Sequence, residues 1–299
     1  MKSILGQWPN TYTFTKSMGE RTLRKRRNPN LPTLLIRPSI IVGAMKHPVP
    51  GWTDTISAAG GLSLIGGMGV INFIHGDKNN IADLIPVDIV SNMIIVGTAH
   101  QANKKELKII HSSSSNRRPV TWGDYKTYIF EYIKNNPYNI QAFQPSIDFI
   151  ENDKLFKARF FLKTELPVKV MDKVSKIPGI GTPAMKKNVK KGKMMVNRAW
   201  ETGILFDHFT TNSWVYETVQ VENNLKLMSE SEREEFFIDP KEIDWRITTK
   251  QYIHGIQKFC LKQESVAPDQ KDTALIRKND FEYFEDLRWA FFNGKPILS

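Results

Sequence analysis

A helical segment followed by an apolar strand restricts the fold of this chain more than any other feature. Pro9, with Asn10 or Thr11, provides a helix start, and the Asn-Pro-Asn sequence at 28–30 ends the helix. Residues 31–38 form a nearly unbroken apolar run, which predicts a strand buried on both faces of a parallel sheet. This order predicts an α/β fold in which ligands lie beyond the carboxyl ends of the strands.

Two groups of residues in this region are candidates for chemistry. Tyr12 and Lys16 are four residues apart and would share one face of the helix. An ammonium beside a phenol favours the phenolate, so such a pair is suited to proton exchange with an oxygen near neutral pH. The residues from 38 to 43 follow the strand and are candidates for a cofactor pocket. A Tyr-x-x-x-Lys pattern also occurs by chance, so it needs support from further motifs.

The composition argues against several classes of protein. The single cysteine, Cys260, excludes an internal disulfide, and no Cys/His pattern has the spacing of metal ligands, so no metal site is predicted. No apolar run reaches the roughly eighteen residues needed to cross a bilayer. Residues 1–10 lack the features of a cleaved targeting segment.

Several ordered motifs give the chain a resemblance to a known family. The motifs are Pro9 to Glu20, Ile36 to Ile41, Pro50-Gly51-Trp52, Asp83 to Val90, Phe236 to Asp239, Ile243 to Trp245 and Gly255 to Phe259. Together they resemble a fatty acyl-CoA reductase, a family of the extended short-chain dehydrogenase/reductases. The resemblance covers roughly residues 6–264. It implies the C-terminal part of a Rossmann-like reductase domain, followed by a small α-helical domain.

The resemblance also implies an activity and roles for individual residues. The activity is NADPH-dependent reduction of a long-chain acyl-CoA, through an aldehyde, to a primary alcohol. Tyr12 would protonate the developing oxyanion, and Lys16 would keep Tyr12 poised and bind the nicotinamide ribose. The residues implied to line the nicotinamide pocket are Pro38, Ser39, Ile40 and Ile41.

One departure from the family pattern leaves two interpretations open. The glycine-rich turn that receives the dinucleotide pyrophosphate is not recognisable, because the glycines at 60–61 and 66–69 do not form Gly-x-Gly-x-x-Gly. We expect those glycines to form turns around a surface segment. The chain is then either an enzyme that needs a missing N-terminal half, supplied by a further segment or a second chain, or a non-catalytic, reductase-derived scaffold subunit. A half-domain with an open strand edge is not expected to be stable alone.

The pattern divides the chain into five regions. They are a reductase-domain part at 1–118, a connecting helix and linker at 119–153, a basic amphipathic segment at 154–198, a helical reductase domain at 199–264 and an aromatic tail at 265–299. We also expect a helix to begin at 209–214. Asp83 and Asp88 are interpreted as capping or salt-bridge residues rather than as acid/base groups.

The basic segment carries the charge asymmetry of the chain. Residues 154–198 contain thirteen Lys or Arg against two acids, a net charge of +11 that equals the formal charge of the whole sequence. Short apolar stretches alternate with these charges, so the segment is suited to a membrane surface or to the phosphates of CoA, and a solvated connector is the alternative. Nucleic acid is disfavoured, because aromatic residues are not interleaved with the lysine cluster. The location is predicted only as intracellular, with endoplasmic reticulum, peroxisomal and mitochondrial membranes all left open.

Overall fold

The computed structural model describes residues 5–56, 58–139, 144–265 and 267–268. The chain forms two compact units, and each is assembled from separated segments. Unit 1 takes residues 1–41, 83–119 and 214–243, and unit 2 takes residues 42–82, 120–213 and 244–299. The predicted aromatic tail lies outside the described residues beyond 268.

Helices and short strands alternate along the described chain. The strands are β1 (Thr33–Pro38), β2 (Ile40–Val42), β3 (Phe73–His75), β4 (Leu84–Pro86), β5 (Leu107–Ser112) and β6 (Asp148–Ile150). The α-helices are α1 (Thr11–Arg26), α2 (Ala58–Gly67), α3 (Val87–Gln101), α4 (Trp122–Ile133), α5 (Asp153–Phe160), α6 (Leu166–Val174), α7 (Pro183–Thr210), α8 (Val219–Leu227), α9 (Glu230–Glu235) and α10 (Trp245–Gly255). Phe161–Glu165 and Ile256–Cys260 are π-helical, and Pro240–Glu242 is a 3₁₀ turn.

Unit 1 contains the predicted parallel strands. β1 and β5 pair in parallel, with Thr33 opposite Leu107 and Pro38 opposite Ser112. β2 and β4 form a second two-stranded sheet. The chain is therefore a mixed α/β protein with small parallel sheets, as the apolar run predicted.

The prediction that the first strand is buried on both faces is wrong. The residues of β1 are only partly buried or exposed, and every residue of α1 is at least partly exposed. The physical reason is that, among the described residues, β5 is the only strand paired with β1, so its other edge is open.

The core of unit 1 lies between α3, β5 and the helices that follow residue 214. Its fully buried side chains are Met93, Val96, Ile110, Val221, Met228 and Ile238. Gly97 brings α3 close to β1, since a Cβ atom at that position would lie 2.9 Å from the Leu34 side chain. A capping box formed by Ser229 and Glu232 starts α9.

The glycine-rich stretch of unit 2 is a buried helix, and the prediction of surface turns is wrong there. Gly60, Gly66 and Gly67 are all buried within α2. A Cβ atom at Gly67 would lie 2.5 Å from both the Ile133 and the Tyr138 side chains. The glycines therefore serve close packing of α2 against its neighbours, which overrides their low helix propensity.

A loop and a helix of unit 2 also meet at two glycines. Gly51 has a positive φ of 77° and donates its N–H to the Ala44 carbonyl at 2.7 Å. A Cβ atom at Gly255, in the last turn of α10, would lie only 1.7 Å from the Gly51 carbonyl oxygen. The Pro50-Gly51-Trp52 motif and the Gly255 motif are thus in direct backbone contact. Tyr252 and Ile253 lie on the buried face of α10.

The basic segment is a helical hairpin rather than a connector. It runs through α5, the π-turn and α6 to a tight turn, and then returns along the 28-residue α7. The helix expected to begin at 209–214 is not there: α7 ends at Thr210, whose hydroxyl donates to the His75 carbonyl at 2.6 Å, and α8 begins at Val219. Among the described helices, none is long and apolar enough to cross a bilayer.

Candidate functional site

The tyrosine and lysine predicted to act together lie on the first helix of unit 1. Asn10 caps α1, and its side-chain oxygen accepts a hydrogen bond from the Thr13 N–H at 2.9 Å. The Lys16 ammonium lies 5.5 Å from the centroid of the Tyr12 ring. Tyr12 is 60% exposed, so its phenol is open to an approaching substrate. The predicted helix and the shared face are confirmed.

The same face of α1 is tied to the carboxyl end of β1. Glu20 follows Lys16 by four residues and forms a two-point ion pair with Arg37, in which the Arg37 Nε lies 3.0 Å from one carboxylate oxygen. This hydrogen bonding lowers the pKa of the Glu20 carboxyl, despite an opposing contribution from burial. Arg37 also contacts the His111 ring at 3.2 Å, and His111 belongs to β5. Arg37 therefore links α1 to both paired strands, β1 and β5.

Sequence analysis missed the role of Glu20. The available signal was its position, four residues after Lys16 and eight after Tyr12, which places all three side chains on one stripe of the helix.

The predicted pocket residues follow β1 and are held by backbone hydrogen bonds on two sides. The Ser39 N–H donates to the Ser112 carbonyl at 3.0 Å, and the Ile40 N–H donates to the Asp83 carbonyl at 3.1 Å. Ser112 is the last residue of β5, so the segment from Pro38 to Ile41 lies at the carboxyl edge of the parallel pair. This is the edge at which ligands bind in open α/β sheets.

Asp83 organises the loop that leaves β5. Its carboxylate accepts hydrogen bonds from the Ser113 hydroxyl at 2.8 and 2.9 Å and from the Ser114 and Ser115 N–H groups at 3.2 Å each. Burial raises the pKa of Asp83 to about 6, and the hydrogen bonds from the serine loop oppose that rise. The interpretation of Asp83 as a capping or salt-bridge residue is therefore wrong, because its partners are hydroxyl and amide groups of a distant loop.

Two further hydroxyls at this edge are buried without partners. Within the part of the chain that the structure describes, the Ser112 and Ser114 hydroxyls make no hydrogen bond. Both residues are almost fully buried. Unpaired buried hydroxyls carry a cost that a bound polar group or water removes. They add to the polar lining of the edge that holds Ser39.

The structure therefore brings the candidate residues together in two groups. Tyr12 and Lys16 lie on α1, the segment from Pro38 to Ile41 lies beyond β1, and the Glu20–Arg37 pair connects the helix to the strand. The residues of both groups lie on elements of unit 1. No cluster suited to a metal ion occurs among the side chains that the structure describes.

Comparisons with known proteins define the class to which this arrangement belongs. Two family models, each described as male sterility protein, match the chain, one of them an NAD-binding model over residues 1–94 and the other over residues 165–263. The first covers α1, β1 and the strand-end segment, so the candidate site lies in a domain of the NAD-binding type.

The relatives specify the family. Fatty acyl-CoA reductase 1 of Homo sapiens is 27% identical over 264 residues, which cover 87% of this chain and 49% of the relative. Fatty acyl-CoA reductase 2 of Bos taurus is 27% identical over 282 residues, which cover 94% of this chain and 53% of the relative. The chain spans about half the length of these curated relatives. Its two family-model matches and these relatives support the resemblance to fatty acyl-CoA reductases that its motifs predicted.

Proposed function

We propose that this chain supplies the proton-donating part of an NADPH-dependent fatty acyl-CoA reductase, which converts a long-chain acyl-CoA to a primary alcohol. One observation carries the proposal. The Lys16 ammonium lies over the exposed Tyr12 ring on a helix that an ion pair joins to the carboxyl end of a parallel strand. The names of the relatives support an acyl-CoA substrate.

Each residue then has a definite task. Bound NADPH supplies one hydride to the carbonyl carbon in each of two reductions. In the first reduction Tyr12 donates its phenolic proton to the carbonyl oxygen as negative charge develops there. The hemithioacetal that results loses CoA as a thiol and becomes the aldehyde. Tyr12 regains a proton from solvent, and in the second reduction it protonates the aldehyde oxygen, so that the product is the alcohol. Lys16 stabilises the phenolate left after each transfer.

The residues present fit the nicotinamide end of the cofactor. Lys16 offers an ammonium to the ribose hydroxyls, and Ser39 to Ile41 offer a strand-end segment with a polar lining. Among the described residues, the glycine-rich stretch is buried in α2 and is not available to hold the pyrophosphate. We therefore propose that a further segment, or a second chain with a glycine-rich βα turn, completes the nucleotide-binding fold.

The test is reconstitution with an N-terminal half of a family member that carries the glycine-rich turn. We expect the mixture to oxidise NADPH when a long-chain acyl-CoA is added. Tyr12→Phe should lower that rate by about 10² or more, because the proton donor is lost, while leaving assembly unchanged by size-exclusion chromatography. Thr15→Ala, a change on the same exposed helix, is the matched control and should retain the rate.

Three outcomes separate the interpretations. Activity that survives in Tyr12→Phe would contradict the assigned role. Loss of assembly in that variant would show that Tyr12 is structural. A stable complex that neither binds nor oxidises NADPH would support the non-catalytic scaffold instead.

A further inference from the structure

The helical hairpin of unit 2 is packed by aromatic side chains at one end, which we call its base. The turn at 175–182 forms the other, far end. At the base, Phe156 and Phe160 are buried, and the Phe160 and Trp200 rings lie 5.1 Å apart between centroids. His75 stacks on Phe156 at 5.6 Å and forms a hydrogen bond with the Asp207 carboxylate of α7. Aromatic packing therefore anchors both arms of the hairpin to unit 2.

The two arms also pack against each other beyond the base. Val189 and Gly192 are the buried positions of this part of α7. A Cβ atom at Gly192 would lie 3.6 Å from the Val168 side chain of α6, which is ordinary contact. The inner faces of α6 and α7 are thus paired, and the side chains on the outer faces are left to solvent.

The outer face of the first arm is an apolar stripe that ends in a turn. We call it the hairpin stripe, and its exposed members are Leu162, Leu166, Val170, Ile177 and Ile180. The first three, Leu162, Leu166 and Val170, are four residues apart and are spaced as one side of a helix. Ile177 and Ile180 lie in the turn and are 46% and 54% exposed.

The turn that carries these isoleucines is tightly built. The Ile180 and Gly181 N–H groups donate to the Ile177 carbonyl at 3.2 and 3.1 Å. Gly179 has a positive φ of 83°, and a Cβ atom at Gly181 would lie 1.8 Å from the Ser175 carbonyl oxygen. The backbone of the turn therefore fixes both isoleucines in an outward position.

Positive charge surrounds the hairpin stripe. The only acids of residues 154–198 are Glu165, paired with Lys169, and Asp172, paired with Lys176 and Lys193. Four other lysines stand near the start of α7 without an ion pair among the described residues: Lys186, Lys187, Lys190 and Lys191. The far end of the hairpin thus combines exposed isoleucines with uncompensated lysines.

We propose that the far end of this hairpin docks on the surface of an anionic lipid bilayer. The isoleucines of the turn enter the interface between headgroups and acyl chains, and the lysines of α7 contact the acidic headgroups. An apolar stripe alone would fit any apolar partner, but the excess positive charge selects an anionic one. This surface contains none of the residues proposed for proton transfer.

Vesicle binding tests the proposal without cofactor or substrate, so its outcome is independent of the proposed reductase activity. We expect the full chain to sediment with vesicles that contain about 30% phosphatidylserine and not with pure phosphatidylcholine vesicles. Binding should fall as salt rises from about 0.1 M to about 0.5 M, because the charges at the surface are screened.

Three variants locate the contact. The double variant Ile177→Asp/Ile180→Asp should lower the partition coefficient by about tenfold or more. The reason is that two apolar side chains are replaced by negative charges, which the negatively charged headgroups repel. Lys187→Gln with Lys190→Gln and Lys191→Gln should give a loss of the same order. Ile204→Asp is the matched control: Ile204 is 59% exposed on the same helix but lies about 30 Å from the turn, so binding should persist.

A fluorescent probe at the turn gives a second readout that does not depend on whether the aspartate and glutamine variants fold. In a Cys260→Ser background, an environment-sensitive dye on Ile180→Cys should brighten with anionic vesicles, whereas the same dye on Ile204→Cys should not. Equal binding to neutral vesicles, or an unresponsive dye at position 180, would overturn the proposal. Complete displacement by free CoA, or preferential binding to an acidic protein, would assign the surface to that partner instead.

Discussion

At the scale of single residues, Asp83 connects the two loops that form the candidate pocket. Its carbonyl accepts from the Ile40 N–H, and its carboxylate accepts from the serine loop after β5. A buried carboxylate is costly when ionised, and the serine hydrogen bonds offset only part of that cost. The ionisation of Asp83 therefore couples the stability of unit 1 to pH.

Asp83→Asn should change the pH dependence of stability in a definite direction. The folded-state pKa of about 6 lies above the ordinary value of 3.8, so the stability that Asp83 contributes is fully present below about pH 3.8. It is lost as pH rises through about 6. Relative to Asp83→Asn, the free energy of unfolding of the wild type should fall by about 2 kcal/mol from pH 4 to pH 7.

Urea unfolding of both proteins across this pH range measures the effect. The difference between the two curves of unfolding free energy against pH reports Asp83 alone, because every other titrating group is common to both proteins. Asp124→Asn is the control, because the Asp124 carboxylate lies on the surface of α4 and accepts from Thr121. Curves for wild type and Asp83→Asn that stay parallel would contradict the interpretation.

Sequence analysis found the residues whose partners are close in sequence and missed those whose partners are distant. Tyr12 and Lys16 are one helical turn apart, so spacing alone predicted their shared face. Glu20 meets Arg37 and Asp83 meets Ser113 only after β1, β4 and β5 are aligned. Their environments depend on strand register, which a local pattern does not fix.

At the scale of elements, the contact between the 44–52 loop and α10 holds two family motifs together. Gly51 and Gly255 meet backbone to backbone, which leaves no space for a side chain on either. Helix propensity alone would favour alanine over glycine at position 255. Close approach of the loop is the reason that glycine stands there.

Gly255→Ala should destabilise unit 2 strongly. The added methyl group would lie 1.7 Å from a carbonyl oxygen, and a backbone atom cannot move aside as a flexible side chain can. We expect a loss of about 3 kcal/mol or more, measured by thermal or urea unfolding. A loss below about 1 kcal/mol would show that the loop shifts freely.

Gly203→Ala is the matched control for this substitution. Gly203 lies within α7, and a Cβ atom there meets no other atom within 4 Å. Alanine should therefore stabilise that helix by up to about 1 kcal/mol, the opposite sign from Gly255→Ala.

Elements were predictable where local signals decide them. Asn10 at the start of α1, Thr121 at the start of α4 and the Ser229–Glu232 capping box all define helix starts in the sequence. The glycines at 60–67 were wrongly predicted as turns, because tertiary packing of α2 overrides propensity, whereas Gly69, with a φ of 70°, does lie in a turn. The end of α7 was missed for the same reason: it depends on His75, far away in sequence.

At the scale of the whole molecule, the open edge of β1 and the exposed surface of α1 define where a completing polypeptide would bind. The residues of both elements are only partly buried or exposed. A parallel strand paired on one side leaves half of its backbone groups for a further strand. This is the surface that a glycine-rich βα segment would cover if the proposed function is correct.

Hydrogen exchange provides the corresponding measurement. Adding an N-terminal half of a family member should slow exchange of the amides of β1 and of α1 by about tenfold or more, while amides of α10, already buried, should change little. Recovery of reductase activity without added protection at β1 would place the completing segment elsewhere.

The interleaved assembly of unit 1 has a consequence for biosynthesis. Half of its buried core, Val221, Met228 and Ile238, comes from the third of its three segments. The strands and helix that those side chains cover leave the ribosome more than a hundred residues earlier, since β5 ends at Ser112. A nascent chain therefore lacks the side chains that complete the cover of Met93, Val96 and Ile110 until translation passes residue 238, and apolar surface exposed for that interval favours aggregation.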